Sequence, residues 1–171
     1  MKPERKVVET LRRKDREESP EFALELLKTC EYAVLSTVNA DGSPYGIPVS
    51  PVFMDGCFYF HCAPEGKKLE NIRRDSRVGL VCIGRTRLLP EKFTTEYESA
   101  ALEGRAVIVT DQEEKRRALL CLCEKYAREN MAAAKKAIEG SLHRTGICRI
   151  EPVAVTGKAK RNIKTQNEAA Q

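Results

Sequence analysis

Apolar residues occur in short runs, several of them alternating with polar residues, through most of the chain, which predicts a protein built largely from β-strands. The clearest signal lies at residues 49–62, where two runs rich in valine, phenylalanine and tyrosine flank Asp55-Gly56. Asp-Gly between two such runs is typical of a two-residue β-hairpin. Further strands are predicted at residues 32–38, 45–53, 77–83, 99–109 and 146–157. Two prolines in 45–53 indicate an irregular or edge strand.

Helices are predicted between these strands where apolar residues recur three or four apart. Ser19 before Pro20 predicts a capped helix to about residue 28. Asp111, with Glu114 three residues on, predicts a capping box for the longest helix, whose inner stripe is Leu119, Leu122, Cys123 and Tyr126. Residues 131–140 either continue that helix or form a separate turn, and the polar stretch 84–97 is predicted to be a loop. Six mostly antiparallel strands with helices between them fit a small barrel, because closure removes sheet edges.

A pair of lysines at a predicted helix start is the first candidate for a ligand-binding site. The segment KKLENIRR follows Gly66 and spaces Leu69 and Ile72 as on a helix. Lys67 and Lys68 then lie in the first turn, where the positive helix end disfavours each cation by about 0.3–1 kcal/mol. A phosphate would offset this cost, because it can accept from the free N–H groups and both ammoniums. The alternative is a solvated basic loop that binds nothing.

Composition and charge limit the class of protein. The 171 residues are 42% apolar and 32% charged, which predicts one soluble globular domain, here placed at residues 19–161 between a charged segment (1–18) and a polar tail (162–171). No apolar run could span a membrane, and the start lacks a secretory signal, so we expect a cytoplasmic protein. The net charge of +5 suggests nucleic acid, but aromatics are only 6% and do not alternate with basic residues. We therefore expect no nucleic-acid binding.

Seven cysteines raise the question of metal binding. On the predicted strand, Cys57 and His61 share a face but stand roughly 13 Å apart, and Cys62 faces the other way. Cys121 and Cys123 diverge on their helix. We therefore expect no metal site, and we interpret the cysteines as small buried hydrophobes. The common dinucleotide, P-loop and hydrolase motifs are also missing from the sequence.

The chain resembles the FMN-binding split β-barrels related to pyridoxamine 5'-phosphate oxidase. The segments that carry this resemblance over residues 20–160 are, in order, LSTVNADGSPYGIPVSPVF, FYFHCAPEGKKLENI, RVGLVCI, SAALEGRAVIV and TGICRIEPVAVTGKAKR. His61 followed by A-P-E-G-K-K is similar to the branch named for nitroimidazole-resistance proteins. The resemblance implies an α+β fold with a six-stranded antiparallel split β-barrel, and FMN at the interface of a homodimer.

The same resemblance implies a set of cofactor-binding residues. These are Pro48, Val49 and Ser50 with their backbone along the isoalloxazine, Phe60 and His61 beside the ring and ribityl chain, Lys67 and Lys68 at the phosphate, and Ser99 reaching in from the fifth strand. The chain departs from true pyridoxamine phosphate oxidases, because Lys67 replaces their arginine and there is no tryptophan for the substrate. Oxidation of pyridoxamine phosphate is therefore not expected.

Two classes of function remain open from the sequence. In the first, the protein is a flavin-dependent reductase of nitro, quinone or flavin-like acceptors, and His61 either donates a hydrogen bond or proton to the substrate or only contacts FMN. In the second, it binds a flavin, heme or deazaflavin as a carrier or sensor. A basic nucleic-acid-binding protein without cofactor is a third, weaker hypothesis. His143 is predicted to be a surface residue.

Overall fold

One antiparallel sheet of eight strands organises the computed structural model, which describes residues 11–161. The strands are β1 (Glu17–Glu18), β2 (Ala33–Val38), β3 (Pro44–Val49), β4 (Val52–Met54), β5 (Cys57–Cys62), β6 (Arg77–Leu89), β7 (Thr94–Ile108) and β8 (Gly146–Lys160). The α-helices are α1 (Pro20–Thr29), α2 (Lys67–Arg74), α3 (Gln112–Tyr126) and α4 (Met131–Ser141). The first ten residues and the predicted tail at 162–171 lie outside the described part of the chain.

The order of the strands explains how the sheet closes. The order is β3-β2-β6-β7-β8-β5-β4, with β1 added against β8. β3 and β4 stand at opposite ends of this order, yet only Ser50 and Pro51 separate them along the chain. Such a link spans at most about 11 Å, so the sheet must curl until its ends meet. The predicted α+β split β-barrel is confirmed, but the described sheet has eight strands instead of six. The predicted strand 45–53 is two strands, β3 and β4, and the short β1 was not predicted.

Local sequence rules hold at the hairpin and at both helix caps. Asp55 and Gly56 have φ of 51° and 80° and join β4 to β5 as the predicted two-residue turn. The Ser19 hydroxyl accepts from the Phe22 N–H at 3.1 Å, which confirms the cap of α1.

The predicted capping box of α3 is confirmed in one of its two bonds. The Asp111 carboxylate accepts from the Glu114 N–H at 2.7 Å, as expected. The Glu114 carboxylate turns away from the cap and accepts from the Tyr59 hydroxyl at 2.9 Å and from Arg149 at 2.8 Å. Glu114 therefore connects α3 to the sheet. α4 is a helix of its own, which decides between the two alternatives left open for 131–140.

The prediction of a loop at residues 84–97 is wrong. This stretch is the outer half of a long hairpin, in which β6 runs to Leu89 and β7 begins at Thr94, with a turn at Pro90–Lys92 between them. Beyond Tyr97 this ribbon is only two strands wide, and side chains such as Leu88 (74% exposed) face solvent. Because neither face is consistently buried, the sequence shows no apolar alternation there.

Two apolar clusters stabilise the barrel. The inner cluster fills the barrel and includes Phe58, Phe60, Leu35, Leu80 and Leu102, all at most 1% exposed. The outer cluster lies where α3 covers β4 and β5 and α4 packs on α3. Of the predicted inner stripe of α3, Leu119 and Leu122 are buried, Cys123 is partly buried and Tyr126 is 38% exposed. Among residues 11–161, no helix is long and apolar enough to cross a bilayer.

Candidate cofactor site

The start of α2 has the features of an anion site. Gly66, the residue before the helix, has φ of 129°, and no side chain caps the helix start. Gly66 also has open space where a side chain would begin. A helix start without a side-chain cap leaves its first N–H groups available to another acceptor, and its dipole favours an anion. An anionic group could therefore approach the backbone closely at this point.

The two lysines stand at this helix start, as the sequence predicts. Lys67 is exposed, and its Nζ lies 4.6 Å from the centre of the Tyr45 ring on β3. Lys68 is partly buried, and its positive charge helps to lower the pKa of the Cys62 thiol at the end of β5. Asp41 shares this surface: hydrogen bonds to Ser43 chiefly, and Lys67 to a lesser extent, lower its pKa. The helix itself packs on β7 and β2, and its two lysine side chains lie near Tyr45 of β3 and near the Cys62 end of β5.

A buried asparagine fixes the helix on the barrel. Asn71 is 3% exposed, and its Nδ2 donates at 3.0 Å to Thr37 Oγ1 and at 3.0 Å to Asn39 Oδ1. Leu69 and Ile72 on the same helix are 1% and 4% exposed. The sequence analysis missed Asn71, because an asparagine between two apolar positions gives no signal of its partners, which lie more than thirty residues earlier.

Strand β5 presents its two predicted cofactor residues in different ways. His61, near the end of β5, is exposed and lies opposite Ile147 of β8. Phe60 is 1% exposed and belongs to the inner core, so only its backbone could contact a cofactor. His143 is exposed, as predicted, and follows α4 in a short 3₁₀ turn.

A second group of predicted residues lies on the outer face of the sheet. Pro48 is exposed and Ser50 is partly buried, whereas the Val49 side chain is buried, so its backbone is the part open to contact. Pro48 belongs to a lateral row with Val34, Val81 and Ala101 on successive strands. Three strand spacings, about 14 Å, separate β3 from β7.

Ser99 lies two residues before Ala101 of this row, on the same face of β7. It is paired with Ile83 on β6 and with Lys158 on β8. Its side chain therefore shares the outer face with that of Lys158. The predicted residues thus lie in two parts of the fold. Lys67 and Lys68 stand at the helix start, a few residues after His61 on β5, whereas Pro48 and Ser99 lie on the outer face and Ser50 lies in the link after β3.

A separate cleft of about 440 Å³ lies between the Asp55-Gly56 turn and the start of α3. Its lining includes Tyr59, Glu114, Arg149 and Glu151. Arg149 bridges Glu114 and Glu151 at 2.8 and 2.9 Å. Burial and the bond to Glu114 raise the pKa of Tyr59 to about 12. Since five carboxylates and two guanidiniums line it, the cleft carries a net negative charge and is a poor match for an anionic cofactor.

Comparisons with known proteins agree with the sequence resemblance. Residues 19–159 match the family model described as pyridoxamine 5'-phosphate oxidase. No curated protein matches the chain by sequence.

Solved structures share the fold. One is a protein of Bacteroides thetaiotaomicron provisionally assigned to 5-nitroimidazole antibiotic resistance, at 21% identity, covering 83% of this chain and 84% of that chain, with a TM-score of 0.69. A conserved hypothetical protein of Mycobacterium tuberculosis is 20% identical over 88% and 90% of the two chains, with a TM-score of 0.75. An FAD- and heme-binding protein of Mycobacterium smegmatis is 15% identical over 91% and 80%, with a TM-score of 0.68.

Proposed function

The chain belongs to the pyridoxamine 5'-phosphate oxidase family of flavin-binding proteins, and on that premise we propose that it holds FMN and reduces small electron-poor molecules. Nitro, quinone and flavin-like compounds are the proposed acceptors. The observation that carries the proposal is the uncapped start of α2, where Lys67 and Lys68 stand beside the open Gly66 position. Seven free thiols fit a reducing compartment such as the cytoplasm, where we place the protein.

The residues present fit the phosphate end of FMN. Both lysines lie at the positive end of a helix dipole, where a dianionic phosphate offsets their mutual repulsion. Asn71 and the buried Leu69 and Ile72 hold the helix rigidly on the barrel, so the anion site is preorganised. The fit extends to the loop before the helix, since Gly66 adopts a positive φ that leaves its backbone accessible.

The chemistry would come from the flavin, which accepts and delivers a hydride or single electrons when bound. The chain's own residues would bind and orient it. His61 is exposed at the end of β5, within the same segment as the lysines, and is placed to donate a hydrogen bond or proton to a reduced acceptor. We do not propose oxidation of pyridoxamine phosphate, because the chain has no tryptophan and Lys67 replaces the expected arginine.

A second copy of the chain would complete the site. The outer face carries an exposed apolar row that includes Val34 (47% exposed) and Val81 (40%), with Ile83 (68%) and Tyr32 (61%) beside it. Exposed apolar surface of this kind is typical of an interface. We propose that two such faces meet and that Pro48, Ser50 and Ser99 then line the flavin held at the partner's helix start.

The lysine pair gives the sharpest test of the cofactor. If each lysine makes a charge-assisted bond of about 1.5–3 kcal/mol, the double substitution Lys67→Ala/Lys68→Ala should weaken FMN binding by about 10²–10⁴-fold. The matched control is Lys135→Ala/Lys136→Ala, which removes an exposed lysine pair from α4. Fluorescence titration with FMN measures both. Equal affinities for the two double variants would place the phosphate elsewhere.

The visible spectrum of the purified protein distinguishes the candidate cofactors in one measurement. A flavin spectrum supports the proposal, and a heme or deazaflavin spectrum replaces it with the carrier or sensor hypothesis. A colourless protein that also fails to bind added FMN would refute the proposal. If FMN binds but no acceptor reoxidises the reduced protein faster than it reoxidises free reduced FMN, the protein is a binding module.

The dimer has its own test. Val81→Asp places a charge in the centre of the apolar row and should shift the protein toward monomer in sedimentation. Val107→Asp is the control, because Val107 is similarly exposed (38%) but lies near the end of β7, away from Ala101, the β7 residue that pairs with Val81. A parent protein that is monomeric with FMN bound would contradict the proposed interface.

A further inference from the structure

Two cysteines form a thiol pair at the point where β5 ends. Cys62 lies opposite Gly146, and Phe60 lies opposite Cys148, so the two cysteines are diagonal neighbours on one face of adjacent strands. The Cys148 thiol is the group with the largest effect on the pKa of Cys62. A side chain at Gly146 would begin only 3.1 Å from the Cys62 sulfur. The missing side chain at Gly146 therefore provides the room that the Cys62 sulfur occupies.

The two thiols differ in exposure and in acidity. Cys62 is partly buried and Cys148 is fully buried. The hydrogen bond from Cys148, which outweighs the opposing effect of burial and is aided by the charge of Lys68, lowers the pKa of Cys62 to about 7. The same hydrogen bond, together with burial, raises the pKa of Cys148. At neutral pH, Cys62 is thus the member with thiolate character, and it is also the more accessible one.

We propose that Cys62 is an oxidation site for hydroperoxides, that Cys148 is its resolving thiol, and that the disulfide between them weakens cofactor binding at the start of α2. In the first step, the Cys62 thiolate attacks the terminal oxygen of the hydroperoxide, an S–O bond forms and the O–O bond breaks. The released alkoxide, or hydroxide when the oxidant is hydrogen peroxide, takes up a proton and leaves as the alcohol or as water. In the second step, the Cys148 sulfur attacks the sulfenic acid. The S–S bond forms, the S–O bond breaks, and the leaving hydroxide departs as water with the Cys148 proton. The two thiols lose two electrons and the peroxide gains them.

The geometry of the pair couples oxidation to the neighbouring loop. Diagonal neighbours in an antiparallel pair have Cα atoms about 7–8 Å apart. A disulfide needs less than about 7 Å, so the backbone must move to form it. Cys62 is the last residue of β5, whereas Cys148 is held inside β8, so we expect Cys62 to move.

Movement of Cys62 reaches the helix start through a short connection. Only residues 63–66 separate Cys62 from Lys67, and this loop packs directly on β8, since a side chain at Gly146 would begin 2.9 Å from the Ala63 carbonyl oxygen. A disulfide therefore displaces the lysine pair relative to the barrel. This part of the inference rests on the proposed function, whereas the oxidation itself does not.

Thiol counting and peptide mapping test the oxidation without any cofactor. Cys30 and Cys82 form a second pair of thiols that influence each other's pKa, so the count is made in the Cys30→Ser protein. Hydrogen peroxide at a small excess should remove two thiols and yield a linked peptide that contains Cys62 and Cys148. Cys148→Ser should stop at a Cys62 sulfenic acid, which dimedone traps. The control Cys57→Ser, on the same strand, should react like the parent.

Two results would overturn the oxidation site. One is that Cys62 stays unmodified while other cysteines react, and the other is that Cys62 becomes linked to a cysteine other than Cys148.

A second experiment tests the effect of oxidation on the cofactor by comparing the Kd for FMN of the reduced and peroxide-treated proteins. We expect at least a tenfold weaker Kd after oxidation and full recovery with dithiothreitol. An unchanged Kd in the disulfide form would refute the coupling. Failure of the reduced protein to bind FMN would refute the proposed function and leave the mapping result to decide the oxidation site.

Discussion

The position of Asn71 predicts that one buried amide controls both stability and the cofactor site. Asn71→Leu keeps a side chain of similar size but removes the two hydrogen bonds that Nδ2 donates to Thr37 and Asn39, each at 3.0 Å. Each bond contributes about 0.5–1.5 kcal/mol, and acceptors left buried without a donor add to the loss, so we expect the free energy of unfolding to fall by about 2–4 kcal/mol. With an m-value of about 2 kcal/mol/M, the urea midpoint should fall by about 1–2 M.

Urea unfolding followed by circular dichroism measures this loss. Arg73→Leu is the matched control, because it introduces the same residue at an exposed position of the same helix, where we expect a change within about 0.5 kcal/mol. Thr37→Val removes one of the two acceptors of Asn71, together with the bond that the Thr37 hydroxyl donates to the Tyr45 carbonyl at 3.4 Å. Its double-mutant cycle with Asn71→Leu should show coupling of at least about 0.5 kcal/mol. If Asn71→Leu unfolds at the parent midpoint, or if the cycle shows no coupling, Asn71 does not anchor the helix.

Two further predictions concern the site and the barrel. His61→Ala should bind FMN nearly as well as the parent and reduce acceptors up to about 10²–10⁴-fold more slowly, with His143→Ala as the control. Loss of FMN binding would show that His61 has a structural role. Parent rates with every acceptor would refute its proposed catalytic role. Gly104→Ala should destabilise the fold by about 1–3 kcal/mol, because its new carbon would lie 2.7 Å from the Glu151 carbonyl oxygen. Gly140→Ala, in α4 with open space around it, should instead stabilise by about 0.5–1 kcal/mol. Thermal unfolding of both glycine variants checks the opposite signs, and equal shifts would contradict the reasoning.

Features set by neighbouring residues could be predicted from the sequence. Asp55-Gly56 forms the expected hairpin because both residues tolerate positive φ, and Ser19 and Asp111 cap their helices with bonds to N–H groups three residues on. The lysine pair follows the same rule, since the start of α2 depends on Gly66 and the short apolar spacing after it.

Features set by distant partners could not be predicted in this way. The outer hairpin of β6 and β7 shows no apolar pattern, because its strands bury little on either face. Asn71 depends on Thr37 and Asn39 from another part of the chain, and the pairing of Cys62 with Cys148 depends on the register of β5 and β8. The sequence analysis placed Cys62 correctly on the face opposite His61, but it could not show which thiol shares that face.

The place of β8 in the sheet has a consequence for the order in which the protein can be made. Within the described residues 11–161 this strand is the last element, yet it lies between β7 and β5 and also pairs with β1. During synthesis on the ribosome, β5 and β7 each keep one edge without hydrogen-bond partners until β8 has been made. The growing polypeptide is then open to wrong pairing and to chaperones. A chain that stalls before Gly146 would have every predicted cofactor residue, but it would lack the strand that holds β5 beside the rest of the barrel.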